Sequence, residues 1–296
     1  MGTLIDFPLI VGSFFVAIVV GLTGMGGGAL MTPMMMLFFN VPPLAAVSSD
    51  LVASAVMKPV GSFVHLRRGT VNLRLVGWLC AGSVPAAFCG VFLARAFAVT
   101  DGVKYALGVA LLLAVAGMAL KTWLGGRGGT SSAHEIVVRP IPTLLVGTVG
   151  GLVVGVSSVG SGSLIIVALI ALYPALKANQ LVGTDLVQAV PLVASAALGH
   201  LLFGDFQLDL TLSLLIGSIP GVYLGARISS RAPGGLIRAL LAIVLLASAC
   251  KLLDVSNTLT ACALGAAIVI TVVGWRVRVR ASARVSSENT DLEPVR

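Results

Sequence analysis

Apolar positions along this chain run in long blocks, and the polar positions gather between them. The blocks fall at 8–22, 28–39, 44–66, 75–95 and 104–124, then at 141–157, 162–174, 181–203, 208–228, 235–253 and 258–275. A helix needs about 20 apolar residues to cross a bilayer, so most blocks predict transmembrane helices. Those at 28–39 and 162–174 are too short for a full crossing. Residues 125–140, "GGRGGTSSAHEIVVRP", break the pattern with glycine, serine and charge and predict a linker. The divisions expected are a first membrane unit at 1–124, the linker at 125–140, a second unit at 141–253, an added transmembrane helix at 254–276 and a polar tail at 277–296.

The pattern repeats. A shift of 134 residues lays Val19-Val20-Gly21 on Val153-Val154-Gly155, Gly26 on Gly160, and Gly28 on Gly162. A shift of 135 lays "VSSDLV" at 47–52 on "VGTDLV" at 182–187, His65-Leu66 on His200-Leu201, and "GSVP" at 82–85 on "GSIP" at 217–220. Over positions 47–90 this gives 14 identities in 44, against about four by chance for so skewed a composition. The chain is a duplication.

Composition and charge then narrow the class. Hydrophobic residues make up 57% and charged residues 10% of the chain, where soluble domains carry about 25% charged residues. The expectation is an all-α polytopic membrane protein with the bilayer as its solvent. The net charge of +8 does not imply nucleic acid, because the cations are spread over short loops and the tail without interleaved aromatics. Cations in short loops mark the cytoplasmic side. The loop at 67–74 carries Arg67, Arg68 and Arg74, whereas its copy at 204–209 carries Asp205 and Asp209. Arg227, Arg231 and Arg238 follow the next block, and Arg276, Arg278, Arg280 and Arg284 open the tail. Equivalent loops therefore fall on opposite sides, which predicts two inverted repeats with an odd number of crossings each. Five crossings satisfy this, and so do three crossings plus a re-entrant hairpin. The N-terminus is expected outside and the C-terminus in the cytoplasm, with no cleaved signal peptide. Arg95 and Lys104, beside Asp101 in an external loop, are the exception.

Two stretches inside the apolar blocks ask for a cause. "VVGLTGMGGGAL" at 19–30 and "VVGVSSVGSGSL" at 153–164 are equivalent, and each precedes a short block. A glycine costs about 1 kcal/mol against alanine in a helix interior. Paired breaks, in which Gly24, Gly26, Gly27 and Gly28 face Ser158, Gly160, Ser161, Gly162 and Ser163, explain the expense. Uncovered backbone N–H groups at a helix start, joined by hydroxyls, bind anions. Paired broken helices in inverted repeats mark a substrate site near the midplane. Close helix packing through small residues is the plainer alternative. Gly24, Gly26 and Ala29 also fit the dinucleotide pattern G-x-G-x-x-A, but no βαβ unit surrounds them.

The segments "SSDLVASAVMKPVGSFVHLRRGTVN" and "GTDLVQAVPLVASAALGHLLFGDFQ", with "GSVPAAFCG" and "GSIPGVYLG", resemble the TauE/SafE sulfite exporter family over about residues 8–253. The resemblance implies a bacterial inner-membrane transporter of a small sulfur-containing anion, with no enzyme activity.

Polar residues within the blocks supply further candidates. Asp50 and Asp185 are equivalent acids near the start of the third block of each copy. They read either as helix N-caps or as carboxylates coupling a proton or cation. Lys58 has Val193 as its counterpart and lies at membrane depth, where an ionisable group is costly and functional by default. It would attract an anion, pair with an acid, or snorkel. Gln188 would hydrogen-bond an oxyanion or another helix. His65 and His200 sit near block ends, at opposite interfaces, as structural residues or pH gates. Cys80, Cys89, Cys250 and Cys262 lie in apolar surroundings without metal spacing, and no catalytic constellation, metal site or cofactor motif is discernible. The partners expected are a small anionic substrate and the lipid bilayer, without nucleic acid; a homo-oligomer is compatible with such a chain. A channel-like anion pathway and, further off, a membrane-embedded enzyme are the alternatives to a secondary transporter.

Overall fold

The computed structural model describes residues 5–23, 27–67, 69, 71–124, 138–176, 178–229 and 234–269. Gly24 and Gly26, Arg68, Arg231, most of the linker and the whole tail lie outside the described residues. The described part of 1–253 is built from ten helices: α1 (Phe7–Thr23), α2 (Gly28–Phe38), α3 (Pro43–Arg67), α4 (Leu73–Ala98), α5 (Gly102–Leu124), α6 (Pro140–Ser157), α7 (Leu164–Leu172), α8 (Ala178–Phe203), α9 (Leu208–Ser229) and α10 (Gly234–Leu252). A separate unit from residue 254 holds one more described helix, α11 (Asn257–Val269), whose surface is largely exposed. No strand occurs among the described residues.

Among the described residues, five helices are both long and apolar enough to cross a membrane: those within Leu73–Ala98, Gly102–Leu120, Pro140–Ser157, Gln180–Phe203 and Leu208–Gly225. The short blocks form short helices. α2 has 11 residues and α7 has 9, about 16 and 14 Å of axis at 1.5 Å per residue. Polarity is distributed for lipid. Phe7, Phe15, Trp78, Leu145, Val149 and Tyr223 point outward, while Ser48, Ser49, Asp50, Ser158, Thr184, Asp185, Gln188 and His200 are buried. In water such an apolar surface would drive aggregation; in a bilayer it is the solvated face. This is an all-α polytopic membrane protein.

Each short helix folds back along its predecessor. The Tyr173 hydroxyl, just past α7, lies 2.6 Å from Thr143 Oγ1 and accepts a 2.8 Å hydrogen bond from the Arg139 N–H. The outer ends of α6 and α7 are thereby tied together, with the glycine-rich break at the tip. In the first copy, Phe39 at the end of α2 comes against Gly12 of α1, so a Cβ there would stand 3.2 Å from the ring. Phe39 and Tyr173 are equivalent under the 134-residue shift.

The helices pair across the copies. α1 packs most extensively on α9 and α4 on α6, while α3 packs on α8 and α5 on α10. Exchanging the copies maps this pattern onto itself. Small residues make the close pairs possible, as at other membrane helix interfaces. A Cβ on Gly82 of α4 would stand 2.3 Å from the Leu144 carbonyl oxygen, and one on Gly217 of α9 would stand 2.2 Å from that of Ile10. Gly82 and Gly217 are equivalent, and so are Leu144 and Ile10. The duplication in sequence is therefore a duplication in packing.

Candidate functional site

The second break is a tight loop with three left-handed residues in five positions: Ser158 at φ 59°, Gly160 at φ 125° and Gly162 at φ 97°. Glycine adopts such angles at little cost, whereas serine does so at about 1–2 kcal/mol. Ser158 is held there by two bonds. Its N–H donates to the Val154 carbonyl at 2.8 Å, closing α6, and its hydroxyl donates to Asp50 Oδ2 at 2.5 Å. The loop then turns into α7 as the Ser163 and Leu164 N–H groups donate to the Gly160 carbonyl at 3.3 and 3.1 Å.

The two breaks touch. A Cβ on Gly28, the first residue of α2, would lie 2.0 Å from the Ser158 carbonyl oxygen. Only glycine admits that backbone-to-backbone approach. Gly27 caps α2, its carbonyl accepting from the Leu30 and Met31 N–H groups at 3.0 and 2.9 Å. Asp50 Oδ1 lies against Gly27, at 3.6 Å from where a Cβ would sit, beside Met31 and Met57. Asp50 Oδ2 accepts a second bond from Thr32 Oγ1 at 3.1 Å, while Oδ1 has no hydrogen-bond partner among the described residues. A carboxylate of α3 thus stands at the N-terminal end of α2, where the helix dipole favours negative charge.

Lys58, two turns further along α3 and half-buried, donates from Nζ to Ser161 Oγ at 2.5 Å. A cation of the first copy therefore ends at the break of the second. Asp185 and Asp50 are the acids whose charges bear on it. Asp50, Lys58, Ser158 and Ser161, together with Gly27, Gly28 and Gly160, form one cluster; Gly162 and Ser163 carry the turn into α7.

The remaining candidates lie elsewhere or act differently. Asp50 and Asp185 are not N-caps of their own helices. α3 opens at Pro43 and α8 at Ala178, so both acids sit two turns inside. A proline at the first helical position suits a helix start, and the small residues after Pro43 continue the helix to Asp50. Gln188 makes a helix–helix bond, its Nε2 donating to Ser83 Oγ of α4 at 2.7 Å, and does not join the breaks. His65 is half-buried in the last turn of α3. His200 is fully buried. Its Nδ1 lies 2.7 Å from Ser48 Oγ of α3 and its Nε2 donates to the Gly155 carbonyl of α6 at 2.8 Å, because the end of α8 is covered by helices of both units. Thr32 is the site residue that sequence analysis missed; a single hydroxyl in the run "LMTPMMM" was the available signal. A cavity of about 430 Å³ runs along α4, α5 and α6 as far as Ser157, and one of about 220 Å³ lies near Pro42, Asp101 and Asp205. Neither is lined by Asp50, Lys58, Ser158 or Ser161.

Comparison with known proteins agrees with this architecture. A family model described as sulfite exporter TauE/SafE matches residues 9–252. The chain is 35% identical over 252 residues to the probable membrane transporter protein YjnA of Bacillus subtilis, covering 83% of this chain and 98% of that one. It is 24% identical over 221 residues to the probable membrane transporter protein YdhB of the same organism, covering 74% and 89%. No solved structure matches. With a family match along nearly all of α1 to α10 and a relative covered end to end, this chain belongs to the TauE/SafE sulfite exporter family of membrane transporters.

Proposed function

We propose that the protein is a secondary transporter, not an enzyme, that exports a small sulfur-containing anion such as sulfite, thiosulfate or an organosulfonate across the bacterial inner membrane. The observation that carries this reading is the Lys58–Ser161 bond at the point where the two breaks abut. A cation, hydroxyls and a glycine-rich backbone meet there, and each copy contributes a part. That chemistry suits an oxyanion.

The hairpins support an inverted arrangement. An α1–α2 hairpin leaves the chain on the side it entered, and α3, α4 and α5 then cross three times, so the second copy starts from the opposite side. With the arginine loop at 67–74 in the cytoplasm, the first hairpin enters from outside and the second from inside, and their tips meet at depth. The N-terminus is then outside and the tail inside. Gly28 on Ser158 is the closed stage, and rocking of one copy against the other opens the contact to either side in turn.

Outward movement fits the membrane potential. With the cytoplasm negative, each net negative charge exported gains about 2.3 kcal/mol per 100 mV. Flux of sulfite and thiosulfate from proteoliposomes under imposed voltage tests this. Efflux should rise as the lumen is made more negative and accelerate when anion is present on the far side. Efflux indifferent to voltage would contradict electrogenic export, and the absence of exchange would favour a channel.

A further inference from the structure

We propose that the Asp50 carboxylate is a built-in stand-in for the transported anion, and that each anion bound requires one proton taken up by Asp50. This rests on the anion site just proposed and adds the coupling ion and the group that carries it.

The geometry makes Asp50 a competitor for that site. Its Oδ2 holds one hydroxyl from each copy, Thr32 and Ser158. Its Oδ1 rests against Gly27 at the start of α2, the helix end that favours a negative charge. The donors an oxyanion needs are therefore already engaged by a fixed negative charge on α3. A second anion entering beside the carboxylate would meet repulsion in a buried site as well as occupied donors.

Protonation removes both obstacles at once. One proton from the adjoining aqueous phase adds to Oδ1, forming an O–H bond and turning the carboxylate into a neutral carboxylic acid. The Ser158 and Thr32 hydroxyls are then free to turn to the anion, with Lys58 Nζ beside them on Ser161. When the anion leaves, the proton returns to water and Oδ2 recovers its two donors. A dianion thus crosses with one net negative charge, which keeps its export electrogenic, whereas a singly charged sulfonate crosses with no net charge and gains nothing from the potential.

The surroundings select a proton over a metal cation. Asp50 is 1% exposed, and its Oδ1 has no hydrogen-bond partner among the described residues. Met31, Met57 and Oδ1 converge on Gly27, and among the described residues no group of three His, Cys, Asp or Glu side chains is placed to hold a metal ion. A proton needs only the one oxygen. The charged groups acting around Asp50 are Lys58 on its own helix and, through Lys58, Asp185 on α8. α2 and residues 158–172 carry no titratable side chain. His200 of α8 is engaged by Ser48 and Gly155, and α9 carries Asp209 and Arg227 near its ends and Tyr223 on its exposed face.

Calorimetric binding of thiosulfate and of methanesulfonate, whose charges are constant between pH 5.5 and 8.5, tests the proposal on purified full-length protein. Titrations in two buffers of different ionisation enthalpy also count the protons exchanged. The expected result for the native protein is uptake of one proton per anion at high pH, with affinity falling about tenfold per pH unit there. Asp50→Asn should bind without proton uptake and with affinity independent of pH. If that variant does not fold, the native arm still overturns the proposal when no proton is taken up. Anion binding that is independent of pH and takes up no proton would overturn the stand-in role and leave the transport reading standing. An Asp50→Asn protein that keeps the native proton count would assign the proton elsewhere and overturn it too. Failure of the folded native protein to bind either anion, or sulfite, at any pH would overturn the anion site itself.

Discussion

Asp50 and Asp185 stand at equivalent places in the two copies, both buried two turns inside their helices, yet their surroundings differ. Asp50 receives hydroxyls from Thr32 and Ser158; the equivalent positions around the second copy are Ile166 and Gly24, which have none. Lys58 follows Asp50 by two turns, and Val193 stands at its equivalent place. Conversely α8 has Gln188 bonded to Ser83, where α3 has Ala53 and leaves Ser218, the equivalent of Ser83, buried without a hydrogen-bond partner. The helix pairing and its close glycine contacts are shared by the two copies, and the lysine beside the breaks belongs to one alone. Duplication supplies two hairpins that meet, and divergence makes the meeting point a single asymmetric site rather than two.

The largest effect should separate the two copies' glycines. Gly28 and Gly162 are equivalent, but Gly28 is glycine because a Cβ would strike the Ser158 carbonyl at 2.0 Å, and Gly162 because its φ is 97°. Gly28→Ala must move backbone against backbone, beyond the 1–3 kcal/mol or so of ordinary overpacking, and should lose both thermal stability and at least about 100-fold in flux. Gly162→Ala should cost about 1–2 kcal/mol, the strain of a left-handed alanine, visible as a lower melting temperature with measurable transport. Equal losses would mean that the two tips do not differ as described.

Next comes the cation. Lys58→Ala removes a charged hydrogen bond worth about 1.5–3 kcal/mol, so anion affinity should fall roughly 10- to 100-fold by calorimetry. Val193→Ala should leave affinity within about twofold. The acids sharpen the same contrast: Asp185→Asn should keep the native pH dependence of anion binding, which Asp50→Asn loses. The smallest effects concern stability alone. Ser83→Ala strands the Gln188 amide and should cost about 1–3 kcal/mol by denaturation, whereas Ser218→Ala removes an unpaired buried hydroxyl and should be neutral or stabilising.

Much of this was legible in the sequence because the bilayer imposes its own length scale. The apolar blocks match the helices, the short blocks are the short helices, and the repeat shift predicted which breaks and which glycines would correspond. What failed depended on contacts across the chain. Asp50 looked like a cap because "VSSD" preceded an apolar run, although Pro43 had already started the helix. For His200 the sequence did not show its two partners, 152 and 45 residues away. Lys58 was legible as a costly charge at depth, but Ser161, its partner 103 residues on, follows only once the two hairpins are brought tip to tip. Periodicity encodes what a segment is; the partner of a buried polar group is set by packing.

Sulfite counterflow in proteoliposomes, with native protein, Lys58→Ala and Lys58→Arg, tests most directly whether the anion crosses where the breaks meet. Exchange that is brisk in the native protein, lost in Lys58→Ala and partly kept in Lys58→Arg is the predicted result. Undiminished exchange in a folded Lys58→Ala protein would place the anion's path elsewhere and leave the paired breaks as a packing device.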